Sequence, residues 1–147
     1  MPLEITPIKA DDRVEWQDLW AAYLAFYETT VPAEVYDTTF ERLCAADRPH
    51  QNALMARQDG RAVGLVHYIF HPHNWKVEDV CYLQDLYASP DVRGTGVGRA
   101  LIEAVYDAAD RNGTPSVYWL TQDFNTTARR LYDRVGVLTP FIKYTRG

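Results

Sequence analysis

Cysteine is scarce in this chain: Cys44 and Cys81 are the only two among 147 residues. Their spacing forms neither a disulfide framework nor a CxxC metal motif, so both read as reduced, buried residues. Long apolar runs are missing, and nothing approaches the roughly 18 residues that a membrane span needs. The start, Met-Pro-Leu-Glu-Ile, lacks the basic and apolar segments of a signal peptide, which makes the cytoplasm the expected location. An excess of cations is missing too, because the net charge is −5. That balance argues against nonspecific nucleic-acid binding, which relies on Lys and Arg at phosphates, and favours cationic partners. No repeat or Pro/Gly-rich linker divides the chain, so 1–147 reads as one domain.

Alternation of apolar and polar residues predicts a first strand over 3–8, with Pro7 confining it to an edge. Asp11 or Asp12 can cap the helix that follows. There Trp16, Leu19, Trp20, Tyr23, Leu24 and Tyr27 recur at the spacing of one helix face. This aromatic stripe can be helix core or the wall of an amine pocket. A second helix is expected over about 33–46, with Val35, Phe40, Leu43 and Cys44 as its apolar positions. Asp59-Gly60, between apolar runs 53–58 and 62–70, signals a hairpin. A long strand over about 79–88, a helix over 97–111, a strand over 116–120, a helix over 125–135 and a last strand over 137–145 complete the prediction. The late alternation of helices and strands points to a mixed α/β sheet.

The most informative stretch is Arg93-Gly94-Thr95-Gly96-Val97-Gly98-Arg99, between a strand and an amphipathic helix. Glycines there permit positive φ and close approach of a ligand, and the helix start offers free N–H groups to an anion. The stretch is not a P-loop, since Gly98 is followed by Arg99 and Ala100 rather than Lys and Ser/Thr. Nor is it a dinucleotide fingerprint, because the glycines run G-x-G-x-G. A glycine-rich turn without a ligand is the plain alternative.

Arg93-x-x-Gly96-x-Gly98 resembles the R/Q-x-x-G-x-G/A signature of the GNAT superfamily of N-acetyltransferases. A second segment, Asn125-x-x-Ala128-x-x-Leu131-Tyr132-x-x-x-Gly136, is similar to another conserved stretch of that superfamily. The resemblance covers roughly 62–146. It implies a central twisted, mostly antiparallel sheet with a splayed parallel pair and about four flanking helices. It also implies acetyl-CoA as cosubstrate. The coenzyme would be held by Leu86, Tyr87 and Ala88, by Arg93, Gly94, Thr95, Gly96, Val97, Gly98 and Arg99, and by Asn125, Ala128 and Arg129. The run Tyr82-Leu83-Gln84-Asp85-Leu86-Tyr87, with Tyr118-Trp119-Leu120-Thr121, is most similar to the diamine, polyamine and histone-tail branch. That branch implies a small cationic amine, a lysine or an N-terminal amine as acceptor.

Acetyl transfer to an amine poses two proton problems. An amine of the Lys type, pKa ~10.4, is free in on the order of one molecule in 10³ at pH 7, and the leaving thiolate resembles Cys at ~8.5. A base near the amine and a donor near sulfur would both assist. The resemblance places Tyr132 near the coenzyme sulfur as donor; a core tyrosine beside Leu131 is the other reading. The base is open. Gln84 stands where the polyamine branch carries a glutamate and cannot take a proton at neutral pH, although it can orient substrate. Asp85 is the nearest carboxylate, and strand alternation puts it on the face opposite Gln84. Glu78 and Asp79 are further candidates. The three acids together can attract a cationic amine.

His67, His71 and His73 share strand parity, but Pro72 interrupts the strand and no carboxylate stands at ligand spacing, so no metal is expected. Cys81 reads as a core residue rather than a nucleophile. The last strand can pair across a two-fold axis, as related enzymes do, giving a homodimer or higher homo-oligomer. A coenzyme-binding module with little or no catalysis is the competing function, favoured by Gln84 and opposed by Tyr132.

Overall fold

A computed structural model of the chain describes residues 2–47 and 50–147. Five strands form one sheet in sequence order: β1 (Leu3–Pro7), β2 (Gln51–Gln58), β3 (Arg61–His71), β4 (Val80–Ala88) and β5 (Val117–Tyr118). All neighbours run antiparallel except β4 and β5, which are parallel. Asp59 and Gly60 both take positive φ, 54° and 78°, and close the β2–β3 hairpin. That is the turn in which both central residues are left-handed, matched to the strand twist.

Helices α1 (Arg13–Phe26) and α2 (Ala33–Cys44) cover one face; α3 (Val97–Arg111) covers the other, flanked by α4 (Thr126–Val135). Trp16, Leu19, Trp20 and Phe40 bury against Met55 and Leu65 on the first face. Val97, Leu101, Ile102, Val105 and Ala109 bury against Leu54, Val66 and Leu83 on the second. Gly64 permits that approach, since a Cβ there would stand 3.0 Å from both Leu101 and Val97.

Several expectations need correction. A 3₁₀ turn, Ala10–Asp12, precedes α1, and Asp12 occupies the cap position without capping the helix. Its carboxylate instead accepts from the Lys9 amide at 2.8 Å and Arg57 at 2.7 Å. Cys44 is exposed at the end of α2, because only the Phe40 stripe of that helix faces the core. Strand β5 shrinks to two residues. Residues 137–147 form no strand: Pro140 lacks an N–H and no edge among the described residues pairs with the segment. Among the described residues no helix is long and apolar enough to cross a membrane.

Candidate active site

The register of β3 on β4 slips at one point. His67 pairs with Asp85 and Tyr68 with Leu83, leaving Gln84 as an extra residue, a β-bulge. The faces change accordingly. Cys81 and Leu83 pack toward α3, but so do Leu86 and Ala88, of opposite parity. Asp85 and Tyr87 are thereby turned toward α1. Strict alternation therefore fails at this bulge, and Gln84 and Asp85, expected on opposite faces, line the same cleft.

That cleft has a volume of about 250 Å³ and lies between α1, α2 and the sheet, walled by Trp20, Val31, Val35 and Leu43. Asp85 is the one carboxylate among its lining residues, and its side chain is 14% exposed. Its Oδ2 accepts from Trp20 Nε1 at 3.2 Å and faces His67 Nδ1 at 2.8 Å. Tyr23 lies beside the same carboxylate; burial, then the Asp85 charge, raise the Tyr23 pKa far above the ordinary phenol value. Gln84 is exposed. Glu78 and Asp79 precede β4 and do not line the cleft, so the expected three-acid cluster is not assembled there.

In the glycine loop, Gly94 and Gly96 take φ of 82° and 97°, and a Cβ at either would meet nothing within 4 Å. Their role is conformational. The amides of 97–99 open α3 and have no intrahelical partner, so they offer donors to an anion. Beyond Tyr82, β4 and β5 no longer pair, which leaves the β5 side of β4 from Leu83 to Ala88 as a free edge. A free edge beside a helix N-terminus fits an extended ligand with amide groups and a pyrophosphate, as coenzyme A has. Arg93 is turned back: its Nε donates to the Ala88 carbonyl at 3.0 Å, and its guanidinium lies 5.6 Å from the Tyr87 ring centroid. It ties loop to strand. Thr95 likewise bonds the Val92 carbonyl, and Arg99 pairs with Glu103 at 2.7 Å.

The second motif is largely structural. Asn125 caps α4, its Oδ1 accepting from the Ala128 amide at 3.3 Å, and Arg129 donates to the Asp123 carbonyl at 2.6 Å. Leu131 meets Gly98, where a Cβ would stand 3.3 Å from it. These contacts hold Tyr132, whose ring packs edge-on against Trp119 at 5.5 Å. Burial, with a smaller push from Tyr27, raises the Tyr132 pKa to about 12.

The remaining candidates separate. His67 is buried; His71 lies between the Tyr118 hydroxyl and the Pro72 carbonyl, both at 2.8 Å; His73 contacts Trp75. The three histidines do not converge, and among the described residues no metal-binding cluster forms. Cys81 is fully buried, and burial pushes its thiol up to about 12, the reverse of activation. The aromatic stripe divides: Trp16 is core, whereas Trp20 and Tyr23 reach Asp85. Sequence reasoning missed His67 and Tyr23 as partners of Asp85. Only their parity and helix position were visible, and the bulge that brings Asp85 to them was not.

Residues 16–137 match the Acetyltransferase (GNAT) family. The chain is 41% identical over 143 residues to a D-amino-acid N-acetyltransferase, HPA3 of Saccharomyces cerevisiae, covering 97% of this chain and 89% of that protein. It is 34% identical over 74 residues to the thialysine N-epsilon-acetyltransferase of Bos taurus, spanning half of this chain and 43% of the relative. Among solved structures, the aminoglycoside acetyltransferase AAC(6')-Iy with a bisubstrate analogue superposes with a TM-score of 0.87 at 18% identity, covering 100% and 99% of the two chains. A ribosomal-protein-alanine N-acetyltransferase from Brucella melitensis superposes at 0.82 with 23% identity, again over 100% and 99%. At those identities the structures speak for the fold.

Proposed function

The chain belongs to the GNAT family and is an acetyl-CoA-dependent N-acetyltransferase, and from that premise we propose that its acceptor is the primary amine of a free amino acid, held against Asp85. The observation that carries this reading is the lone carboxylate of the cleft. One buried anion suits one ammonium. Thr39, Gln51 and Gln84 along the same cleft suit the hydrogen-bonding of a carboxylate, and Val31, Val35 and Leu43 suit an apolar side chain. The relatives named for D-amino acids and thialysine support the class. A polyamine is the second reading, favoured by the net charge of −5; its second ammonium would find no carboxylate in this cleft.

Acetyl-CoA supplies the thioester. Its pyrophosphate is assigned to the amides of 96–99 and its amide arm to the free edge at Leu86, Tyr87 and Ala88, with Gly94 and Gly96 shaping the loop. Arg93 and Thr95 brace that loop; Val97, Gly98 and Arg99 contribute backbone, and Asn125, Ala128 and Arg129 set the start of α4 beside it. Asp85 accepts one N–H of the amine and orients it toward the thioester carbonyl, so that the reaction gains chiefly from proximity. The bound ammonium first gives one proton to water at the cleft mouth, beside Gln84, to become the neutral nucleophile, and the second proton, lost on N–C bond formation, leaves by the same route. Tyr132 donates its O–H to the sulfur as the C–S bond breaks.

The test follows thiol release from acetyl-CoA with D-amino acids, thialysine, diamines and arylamines. Turnover of amino acids above the rest is expected. A preference for diamines transfers the assignment to polyamines, and failure with every amine overturns the acceptor reading.

We also assign residues 137–144 to contact with a second copy of the chain. Val137, Phe141 and Tyr144 are 91%, 82% and 88% exposed, and the outer edge of β5 lacks a partner among the described residues. An extended apolar segment and an open strand edge are complementary by strand addition.

A further inference from the structure

We propose that His67 is a positioning residue for acetyl transfer: its Nδ1–H, fixed by Trp16, aims the Asp85 carboxylate at the acceptor amine. The inference rests on the reading of Asp85 as the amine's anchor. Neither Trp16 nor His67 has a part in the reaction proposed above.

The tautomer follows from donors alone. An indole N–H can only donate, so Trp16 Nε1, 3.0 Å from His67 Nε2, makes that nitrogen the acceptor. The ring proton of neutral His67 therefore sits on Nδ1, 2.8 Å from Asp85 Oδ2, and is donated to it. Trp16 is 0% and His67 5% exposed, so water does not compete for these bonds. Trp20 crosses the imidazole edge-on at 5.3 Å and limits ring rotation.

A carboxylate offers about four lone-pair sites. Trp20 and His67 both donate to Oδ2 and occupy its two sites. Oδ1 remains for the cleft, which Asp85 lines. One open oxygen, on a carboxylate held by two donors, sets the direction of one amine N–H and hence of the nitrogen lone pair. Without the His67 donor a site on Oδ2 opens as well and the carboxylate gains a torsional freedom, and the amine is bound in more than one pose.

Asparagine and glutamine separate this role from simple packing. His67→Asn places its amide nitrogen near Nδ1, whereas His67→Gln places it near Nε2, facing Trp16. Steady-state kinetics with an accepted amino acid should show His67→Asn within about fivefold of wild type. His67→Gln and His67→Leu should lose about 10- to 100-fold in kcat/KM for the amine, with KM for acetyl-CoA unchanged. Equal losses in Asn and Gln variants, tracking their melting temperatures, would reduce His67 to a core residue. In the wild-type protein, ¹⁵N shifts of the His67 ring at pH 7.5 should report the Nδ1–H tautomer, and an Nε2–H pattern overturns the proposal even if no variant folds. Asp85→Asn serves as the separate control. If it leaves amine kinetics untouched, the anchor reading itself fails; if it is impaired while His67→Gln is not, only the positioning role is lost.

Discussion

In the proposed reaction Tyr132 meets two demands: burial beside Trp119 and Tyr27 keeps its proton on, while the departing sulfur needs one. With its pKa pushed up to about 12, it lies about 3.5 log units above a thiol near ~8.5, so complete transfer is uphill by about 5 kcal/mol. Its contribution is then a hydrogen bond to developing charge, strongest in the transition state. Tyr132→Phe should lower kcat about 10- to 1,000-fold and leave acetyl-CoA affinity nearly intact; turnover at the wild-type rate would return the residue to the core. Gly96 makes a different demand, on the backbone. At φ 97° a side chain is strained by about 1–2 kcal/mol, and a carboxylate there would face the pyrophosphate. Gly96→Glu should therefore abolish the rise in melting temperature that CoA produces, while circular dichroism stays native. A normal CoA shift in that variant would displace the coenzyme from this loop.

Elements place these residues by contacts that local sequence records unevenly. Helix α4 ends at Gly136, where a Cβ would stand 2.8 Å from Trp119 Cη2. Gly136→Ala must push the indole aside, and with it the ring against which Tyr132 rests. A stability loss of about 1–3 kcal/mol by urea titration is expected, accompanied by a fall in kcat. Native kinetics in a destabilised variant would separate Trp119 from the placement of Tyr132. The hairpin, α3 and the glycine loop were legible because their signals are local: Asp59-Gly60, one apolar stripe, and glycines between a strand and a helix. The bulge at Gln84 was not, since it exists only in the register of β4 on β3, and alternation alone set Asp85 on the face opposite Gln84. The last strand failed for a related reason. Alternation over 137–145 describes a segment able to pair, and among the described residues nothing pairs with it. Asn125 matched a motif and Arg129 was expected beside it at the coenzyme, yet their side chains are engaged in building the start of α4.

For the whole molecule, the sheet separates the two proposed subsites: the cleft at Asp85 lies on the α1–α2 face, and the glycine loop opens at the end of β4 beside α3. If the exposed tail joins two copies, deleting residues 137–147 should halve the mass measured by light scattering. An unchanged mass would leave the tail without that role. The same buried architecture imposes a pH dependence. Burial raises the Cys81 thiol from 9.0 to about 12 and the Tyr132 phenol from 10.0 to about 12. Below pH 9 folded and unfolded chains both keep these protons, and the groups leave stability unaffected. Between pH 9 and 12 the unfolded chain releases protons that the fold retains, so νU falls below νN and stability declines as pH rises. By pH 10.5 the Cys81 contribution alone amounts to about 2 kcal/mol. Urea midpoints should therefore fall between pH 8 and 10.5. Cys81→Ala should start lower at pH 8, for the small cavity it leaves, and decline less steeply, because its buried thiol is gone. Parallel declines in the two proteins would mean that Cys81 ionises as readily in the fold as outside it.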